Sequence, residues 1–493
     1  MHSAYFWQIF LLNLMLVGCT MGPKYVQPPE MNIPEEWHSD VSEGMDSGDP
    51  ENFAWWESLN DPILNSLIKR AAEQNVDLFI AGTRILEVRA EQKGKVAELY
   101  PHIDASTTCG HVYYSKDALI NGILGAAFPA HHHRSGKRNV DFFEIGFDAS
   151  WEIDLFGATK HEISAGKARI ESAEESLCDL WVTLSAEVAR NYIELRSLQL
   201  RLNLTEKNIE TQQDTLHLTQ ELLTIGSANA IDVLQANEQL NILAAQKPLL
   251  KLSIDKGIHR LSILLAHPPG KLFAELCESK ELPCLPCEKP IGLPSELLRR
   301  RPDIRKAERD LAAATESVGS AVASLFPRLS LYGFIGDIST HLKSLTSGAS
   351  GAWFAAPQLL FPIFNSRLLT QDVDFNKIKN RQALFEYQKT VLAALEEAEN
   401  AIASFHYEEE RNQYLEKVRM TGQEAYQLTL QLYQRGLKDY LEVLIINRSL
   451  LTSENAFIQS QTDLLLHYIS LYKALGGGWI ASQCMGENPC ASE

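Results

Sequence analysis

The sequence predicts a mostly α-helical chain carrying four strands of a transmembrane β-barrel, built as two copies of one helix–strand–strand–long helical hairpin unit. Three observations predict it. Gly226-Ser-Ala-Asn-Ala-Ile231-Asp232-Val233-Leu234 returns as Gly436-Leu-Lys-Asp-Tyr-Leu441-Glu442-Val443-Leu444, an offset of 210 residues. The same offset aligns Leu261 with Leu471, Leu265 with Leu475 and Glu187 with Glu397, and a fixed internal period is the mark of a duplicated unit. Segments alternating apolar and polar residues supply the strands, and two proline-free stretches, between Pro129 and Pro248 and between Pro362 and Pro489, leave room for very long helices.

The N-terminus is a targeting segment. Residues Ala4 to Gly18 are nearly all apolar, yet too few to span a bilayer, which takes about 20. The run ends in Leu16-Val17-Gly18-Cys19, which resembles a bacterial lipobox: small residues at the cut and a thiol to carry the lipid. Residues 1–18 are therefore expected to be a signal peptide, Cys19 the lipidation site, and 19–60 an extended lipidated segment. Thr20 rather than Asp follows the cysteine, which points to outer-membrane sorting. No other stretch reaches 18 uninterrupted apolar residues, so any further crossing must use strands closed into a barrel, because lipid cannot satisfy open backbone groups.

The first repeat is expected at 61–267, with strands about 101–114 and 141–154 and a hairpin about 159–266. A linker follows at 268–294. The second repeat, 295–476, places strands about 327–336 and 352–361 and a hairpin about 366–475, and 477–493 is a tail. From Thr159 to Thr224 only Gly166 could break a helix, and at 1.5 Å per residue that run reaches roughly 100 Å. Leu177, Trp181, Leu184, Val188, Asn191, Leu195, Leu198 and Leu202 step by four and three, a heptad seam in which Asn191 would set the register. Ala394, Ala398 and Ala401 in the second copy permit a closer helix approach.

The strands read clearest in the first copy. Phe143, Ile145, Phe147, Ala149, Trp151 and Ile153 share one phase, and Glu144, Asp148, Glu152 and Asp154 the other. His102, Asp104, Ser106 and Thr108 repeat the pattern, and Leu329–Ile335 and Trp353–Phe361 are weaker counterparts. A greasy face opposite a polar one fits a strand between lipid and water, and a half-buried soluble sheet alternates too. The lipoprotein signal and the length of the helices favour the membrane. Four strands cannot close a barrel, since the smallest use about eight. Several chains must pool them, and three would give about twelve.

Net charge is −18, with 63 acidic and 45 basic residues, which argues against nucleic acid, because phosphate binding needs clustered cations. The triplet Arg299-Arg300-Arg301 before Pro302-Asp303 reads as a solvated helix start. No catalytic triad, nucleotide loop, cofactor motif or metal-ligand set is present, so an enzyme is not expected.

Arg300-Arg301-Pro302-Asp303-Ile304-Arg305-Lys306-Ala307-Glu308, running on to Val318-Gly319-Ser320-Ala321 and Phe326-Pro327, resembles the most typical segment of the outer membrane factors, the TolC- and OprM-type channels. Trp151-Glu-Ile-Asp154-Leu-Phe156-Gly157, Asn75-Val-Asp77-Leu78, the Gly436–Leu444 turn and Cys19-Thr-Met-Gly22-Pro23-Lys-Tyr25 match as well. The resemblance covers essentially the whole mature chain and lies nearest the lipidated OprM and NodT-like branch. It implies a homotrimer, a twelve-stranded outer-membrane barrel, a periplasmic α-helical tunnel with an equatorial domain, a periplasmic adaptor and an inner-membrane transporter of the RND type. The channel itself would do no chemistry.

The resemblance also places the two helix-to-helix turns at the periplasmic tip, with Gly226, Ser227, Arg435, Gly436 and Leu437 as adaptor contacts. Tyr433, Lys438, Glu442, Arg448 and Asp232 are gate candidates, which would otherwise read as ordinary solvated pairs. Ile445 and Ile446 stand where the family often carries an acidic residue followed by alanine, so an acidic ring is not expected there, and the gate is either apolar or built from the first copy, where Asp232 aligns with Glu442. Asp104, Glu144, Asp148 and Glu152 would line the lumen and favour cations. Of the eight cysteines, Cys277, Cys284, Cys287, Cys484 and Cys490 fall in the linker and tail, where an oxidising periplasm favours at least one disulfide over half a zinc site. His131-His132-His133-Arg134 reads as a surface loop. The leading function is a passive exit duct for small molecules. The alternatives are a type I secretion duct and a non-porous envelope scaffold.

Overall fold

The computed structural model describes residues 20–26, 33–39, 45–46, 54–113, 139–286, 289–364 and 366–478. The expected signal peptide, Cys19, the histidine loop at 131–133, Cys287, Cys484 and Cys490 lie outside these residues. The elements in chain order are α1 (Pro62–Gln74), α2 (Val76–Ala97), β1 (His102–Tyr113), β2 (Asn139–Ile153), α3 (Ala158–Thr224), α4 (Ala230–Leu264), α5 (Pro302–Ala323), β3 (Arg328–Ser339), β4 (Gly351–Leu360), α6 (Ser366–Gln434) and α7 (Tyr440–Ala474). Among the described residues no helix is long and apolar enough to cross a membrane. Two compact units divide the chain.

One unit gathers the stretch to Pro28, Glu87–Ile170 and Asp310–Leu384. Its four strands form an antiparallel sheet in the order β1-β2-β3-β4. The register sets Asp104 opposite Asp148, Asp148 opposite Phe334 and Phe334 opposite Phe354. Asp154 ends β2 by accepting the amides of Gly157 (2.8 Å) and Lys160 (2.9 Å), which starts α3. Phe156 stacks on Phe326 with ring centroids 4.9 Å apart, and the Trp151 indole donates to the Leu99 carbonyl at 2.8 Å.

The other unit gathers Pro29–Leu86, Glu171–Arg309 and the chain from Phe385 onward. Its core joins Trp55, Leu64, Leu67 and Ile68 to Tyr192 and Ile193 of α3, Ile258 and Leu261 of α4, Phe405 of α6 and Tyr468 of α7. Trp55 stacks on Tyr472 at 6.3 Å. Asp61 caps α1 by accepting the Ile63 (2.9 Å) and Leu64 (3.2 Å) amides, ahead of a proline suited to the first helical position. Asn75 does two tasks: its oxygen caps α2 at Asp77 (2.9 Å), and its amide donates to the Leu264 carbonyl at the end of α4 (2.9 Å). The segment 268–294 contributes Leu272, Leu276 and Ile291 to the same core.

The heptad residues Leu177, Leu184, Val188 and Leu195 are buried. The Asn191 side-chain amide donates to the Glu187 carbonyl of its own helix at 2.7 Å. The α3 interior is more polar than a heptad reading implies, with Arg196, Ser197, Gln199, Gln212, Thr215 and Thr219 all buried. Ala394 and Ala398 are fully buried, which allows close helix packing at that level.

Candidate functional site

Two regions bear on function, one in each unit. In the sheet, period-2 alternation sends Ile103, Ile145, Phe147, Leu331, Ile335, Trp353 and Leu359 to one face, and all are exposed to solvent. A contiguous apolar surface of that kind marks contact with lipid or protein. The opposite face carries the predicted acidic residues. Asp104 and Glu152 are exposed, and Glu144 and Asp148 are half-buried. Ser106 donates its hydroxyl to the Asp148 carboxylate, which offsets the crowding of two aspartates in opposed positions.

The acidic character stops at β2. On β3 and β4 the same face presents Tyr332, Phe334 and Phe354, with Phe334 buried at 5% exposure and its ring stacked on Phe354 at 6.2 Å. Sequence reasoning missed this aromatic half. The signal was present in the phase of Ser330, Tyr332 and Phe334, obscured by apolar residues on both sides of a short run. Among the described residues, both outer strands, β1 and β4, leave one ladder edge unpaired.

The second region holds the two helix-to-helix turns. Gly226 (φ +76°) and Gly436 (φ +70°) are left-handed, a conformation glycine reaches without strain. Ser227 N–H donates to the Leu222 carbonyl at 2.8 Å, and Leu437 N–H to the Leu432 carbonyl at 2.9 Å, so both helices end in the same Schellman closure. Gly226, Ser227, Arg435, Gly436 and Leu437 are all exposed, as are Ile225, Ile231, Leu234, Leu441 and Ile445. Ile446 instead packs against the cluster below.

The gate candidates do not form one group. Tyr433 is buried with Tyr440, Tyr426, Val443 and Leu444, its ring 5.7 Å from that of Tyr440, and burial pushes its phenol above the ordinary value. Lys438, in the turn, and Glu442, in the first turn of α7, pair with each other at 2.7 Å. Asp232 accepts the Asn229 amide at 3.1 Å in a capping box that starts α4. Arg448 reaches the other hairpin through a side-chain hydrogen bond, donating to the Gln239 side chain at 3.1 Å. Beside it Gln212, unremarked in the sequence, donates to the Ala236 carbonyl (3.0 Å) and Tyr440 hydroxyl (3.3 Å) and accepts from Asn447 (3.1 Å). One buried amide thus joins α3, α4 and α7.

The expected disulfide is not formed by Cys277 and Cys284, which are exposed thiols. The Cys277 thiol donates to the Ala274 carbonyl of its own helical turn, at 3.8 Å. Among the described residues no group of three His, Cys, Asp or Glu could hold a metal ion.

Comparison with known proteins fits this arrangement. The family described as outer membrane efflux protein matches residues 67–266 and 293–477. The solvent efflux pump outer membrane protein SrpC of Pseudomonas putida is 30% identical over 482 residues, covering 95% of this chain and 97% of that protein. Nodulation protein T of Rhizobium leguminosarum bv. trifolii is 29% identical over 469 residues, 95% and 96% of the two chains. The solved outer-membrane channel OprN superposes with a TM-score of 0.84 at 32% identity, covering 94% of this chain and all of that one. The twin hairpins, the duplicated strand pairs and these matches lead to one conclusion: the chain belongs to the outer membrane efflux protein family.

Proposed function

We propose that the chain is the outer-membrane channel component of a tripartite efflux system, a passive exit duct for small molecules. The observation that carries this is the sheet: one face exposed and apolar, the other acidic and aromatic, and an unpaired ladder edge on each outer strand. A single copy of such a sheet is incomplete, because open edges cannot face lipid. Three copies joined β4 to β1 close twelve strands around water, with the apolar face against lipid. The hairpins of the same three copies form the periplasmic tunnel. Cys19 carries the lipid anchor.

The exposed tip turns at Gly226 and Gly436, with Ser227, Arg435 and Leu437, receive a periplasmic adaptor, and an inner-membrane transporter of the RND type supplies the energy. The gate rests on contacts between hairpins. No substrate passes through a chemical step, so none of the named residues is catalytic. A type I secretion duct is the second reading within the same architecture, and the lipid anchor favours efflux.

Planar-bilayer recording on detergent-extracted protein, with cross-linking to count subunits, tests the pore. Discrete conductance steps from a trimer are expected, and a non-conducting monomer overturns the reading. Gly436→Trp and Leu437→Glu should abolish adaptor pull-down while the trimer survives. Undiminished capture would remove the tip from the contact surface.

A further inference from the structure

The residues that follow Cys19 lie in a notch. Met21 N–H donates to the Phe156 carbonyl at 2.9 Å. Thr20 rests on Gly157, where an added Cβ would stand 2.9 Å from the Thr20 methyl carbon. Gly22 crosses Gly319 backbone to backbone: a Cβ on Gly22 would lie 2.7 Å from the Gly319 Cα. Gly319 has no room on its own side either, since a Cβ there would meet the His161 ring at 2.5 Å. That ring cannot retreat. It is 5% exposed and held at Nδ1 by the Glu316 carboxylate at 2.6 Å, and its Nε2 is buried without a partner. Tyr25 continues the contact, packing on Ala168, Ala312 and Ala313.

Three chain segments, remote in sequence, therefore lack a side chain at the points where they meet. A strap that merely lay on the surface would impose no such demand on the helix beneath it. We propose that Thr20–Tyr25 is a docking tag for the notch formed by Phe156, Gly157 and Gly319 over His161, and that this docking fixes where the lipid-bearing cysteine leaves the fold. Thr20 is seated at the corner that closes β2, and Cys19 is one Cα–Cα step away, about 3.8 Å. Acyl chains and the end of β2 are thereby delivered to the bilayer at one point. The anchor half of this inference rests on the lipoprotein reading, whereas the notch does not.

The test compares the native protein with Gly22→Val, Thr20→Trp and a Cys19→Ser form exported behind a cleavable leader. Readouts are amide exchange of the 20–25 peptide, palmitate incorporation and trimer yield. Protection is expected in the native and Cys19→Ser proteins, and exchange at least roughly tenfold faster in Gly22→Val and Thr20→Trp, the signature of local opening. Both strap variants should incorporate palmitate normally yet give severalfold less trimer. Retained protection and yield in both variants would overturn the notch, as would loss of protection in Cys19→Ser, which would make the lipid the holder of the strap. A native protein that takes up no palmitate would overturn the anchor half alone.

Discussion

Arg301 binds Glu397 at 2.8 Å across 96 residues of sequence, while two further bonds to Asp303, 3.0 and 2.8 Å, and one to the Ala474 carbonyl, 2.8 Å, occupy the rest of its guanidinium. Burial works against its charge, and Asp303 and then Glu397 outweigh it, holding the group more firmly protonated than a free arginine. The Arg-Pro-Asp motif is thus a clamp on the end of α7. Replacing Arg301 with Met leaves two carboxylates and a helix-end carbonyl without their donor. Glu397 and Asp303 stay open to water, so the main loss is the bond to the buried Ala474 carbonyl, an expected cost of about 1–3 kcal/mol, read as a lowered denaturation midpoint. Arg301→Lys should recover only part of it, because one ammonium cannot reproduce the planar fork.

Gln212 predicts a local loss. Gln212→Leu keeps the volume but strips donors and acceptors from Ala236, Tyr440 and Asn447 together. An unsatisfied buried partner costs about 1–3 kcal/mol. Amide exchange should accelerate in the peptides around 212–240 and 440–450, with little change in the core around Trp55.

The gate contacts separate into two kinds. Lys438 and Glu442 are half-exposed and join the turn to the first turn of α7, a surface pair worth about 0–1 kcal/mol. Removing both should leave pore conductance unchanged. Arg448→Ala breaks the link to Gln239 on the other hairpin and should raise conductance in planar bilayers. Equal effects from the two sets would assign the latch to surface charge instead.

Glu399 predicts a response to acid. Burial alone would raise its carboxyl, but hydrogen bonds from the Ser39 hydroxyl (2.6 Å), the His38 amide (2.8 Å) and the Ser39 amide (3.0 Å) lower it below the ordinary 4.5. A depressed folded value means that the contribution is complete above the unfolded value and is lost as pH falls through the folded one. Protease access to residues 33–39 should therefore rise only below about pH 4.5. Glu399→Gln should show that access at neutral pH.

The fold class was legible because its signals are local or repeated. Alternation in Phe142–Asp154, the fixed offset between Gly226 and Gly436, and proline-free runs need no knowledge of partners. What escaped depends on residues far apart in sequence. Gln212, Thr215 and Thr219 carry no apolar signal of their own, yet all three are buried, and Gln212 bonds to α7 of the second hairpin. Tyr433 entered as a gate candidate through the resemblance alone, and its enclosure by Tyr440 and Val443 depends on packing that the sequence does not declare. Phe334 was hidden because a strand of seven residues with apolar groups in both phases does not declare its face.

The unpaired edges of β1 and β4 also govern the life of the chain before assembly. A newly exported copy offers backbone donors and acceptors on two strands, of 12 and 10 residues, beside a band of bare apolar side chains. Such a surface recruits any strand it meets, so the unassembled subunit is hazardous to itself at high concentration. In the proposed twelve-stranded closure, completion would therefore follow subunit concentration steeply, and covering the strand edges before assembly would lower that hazard.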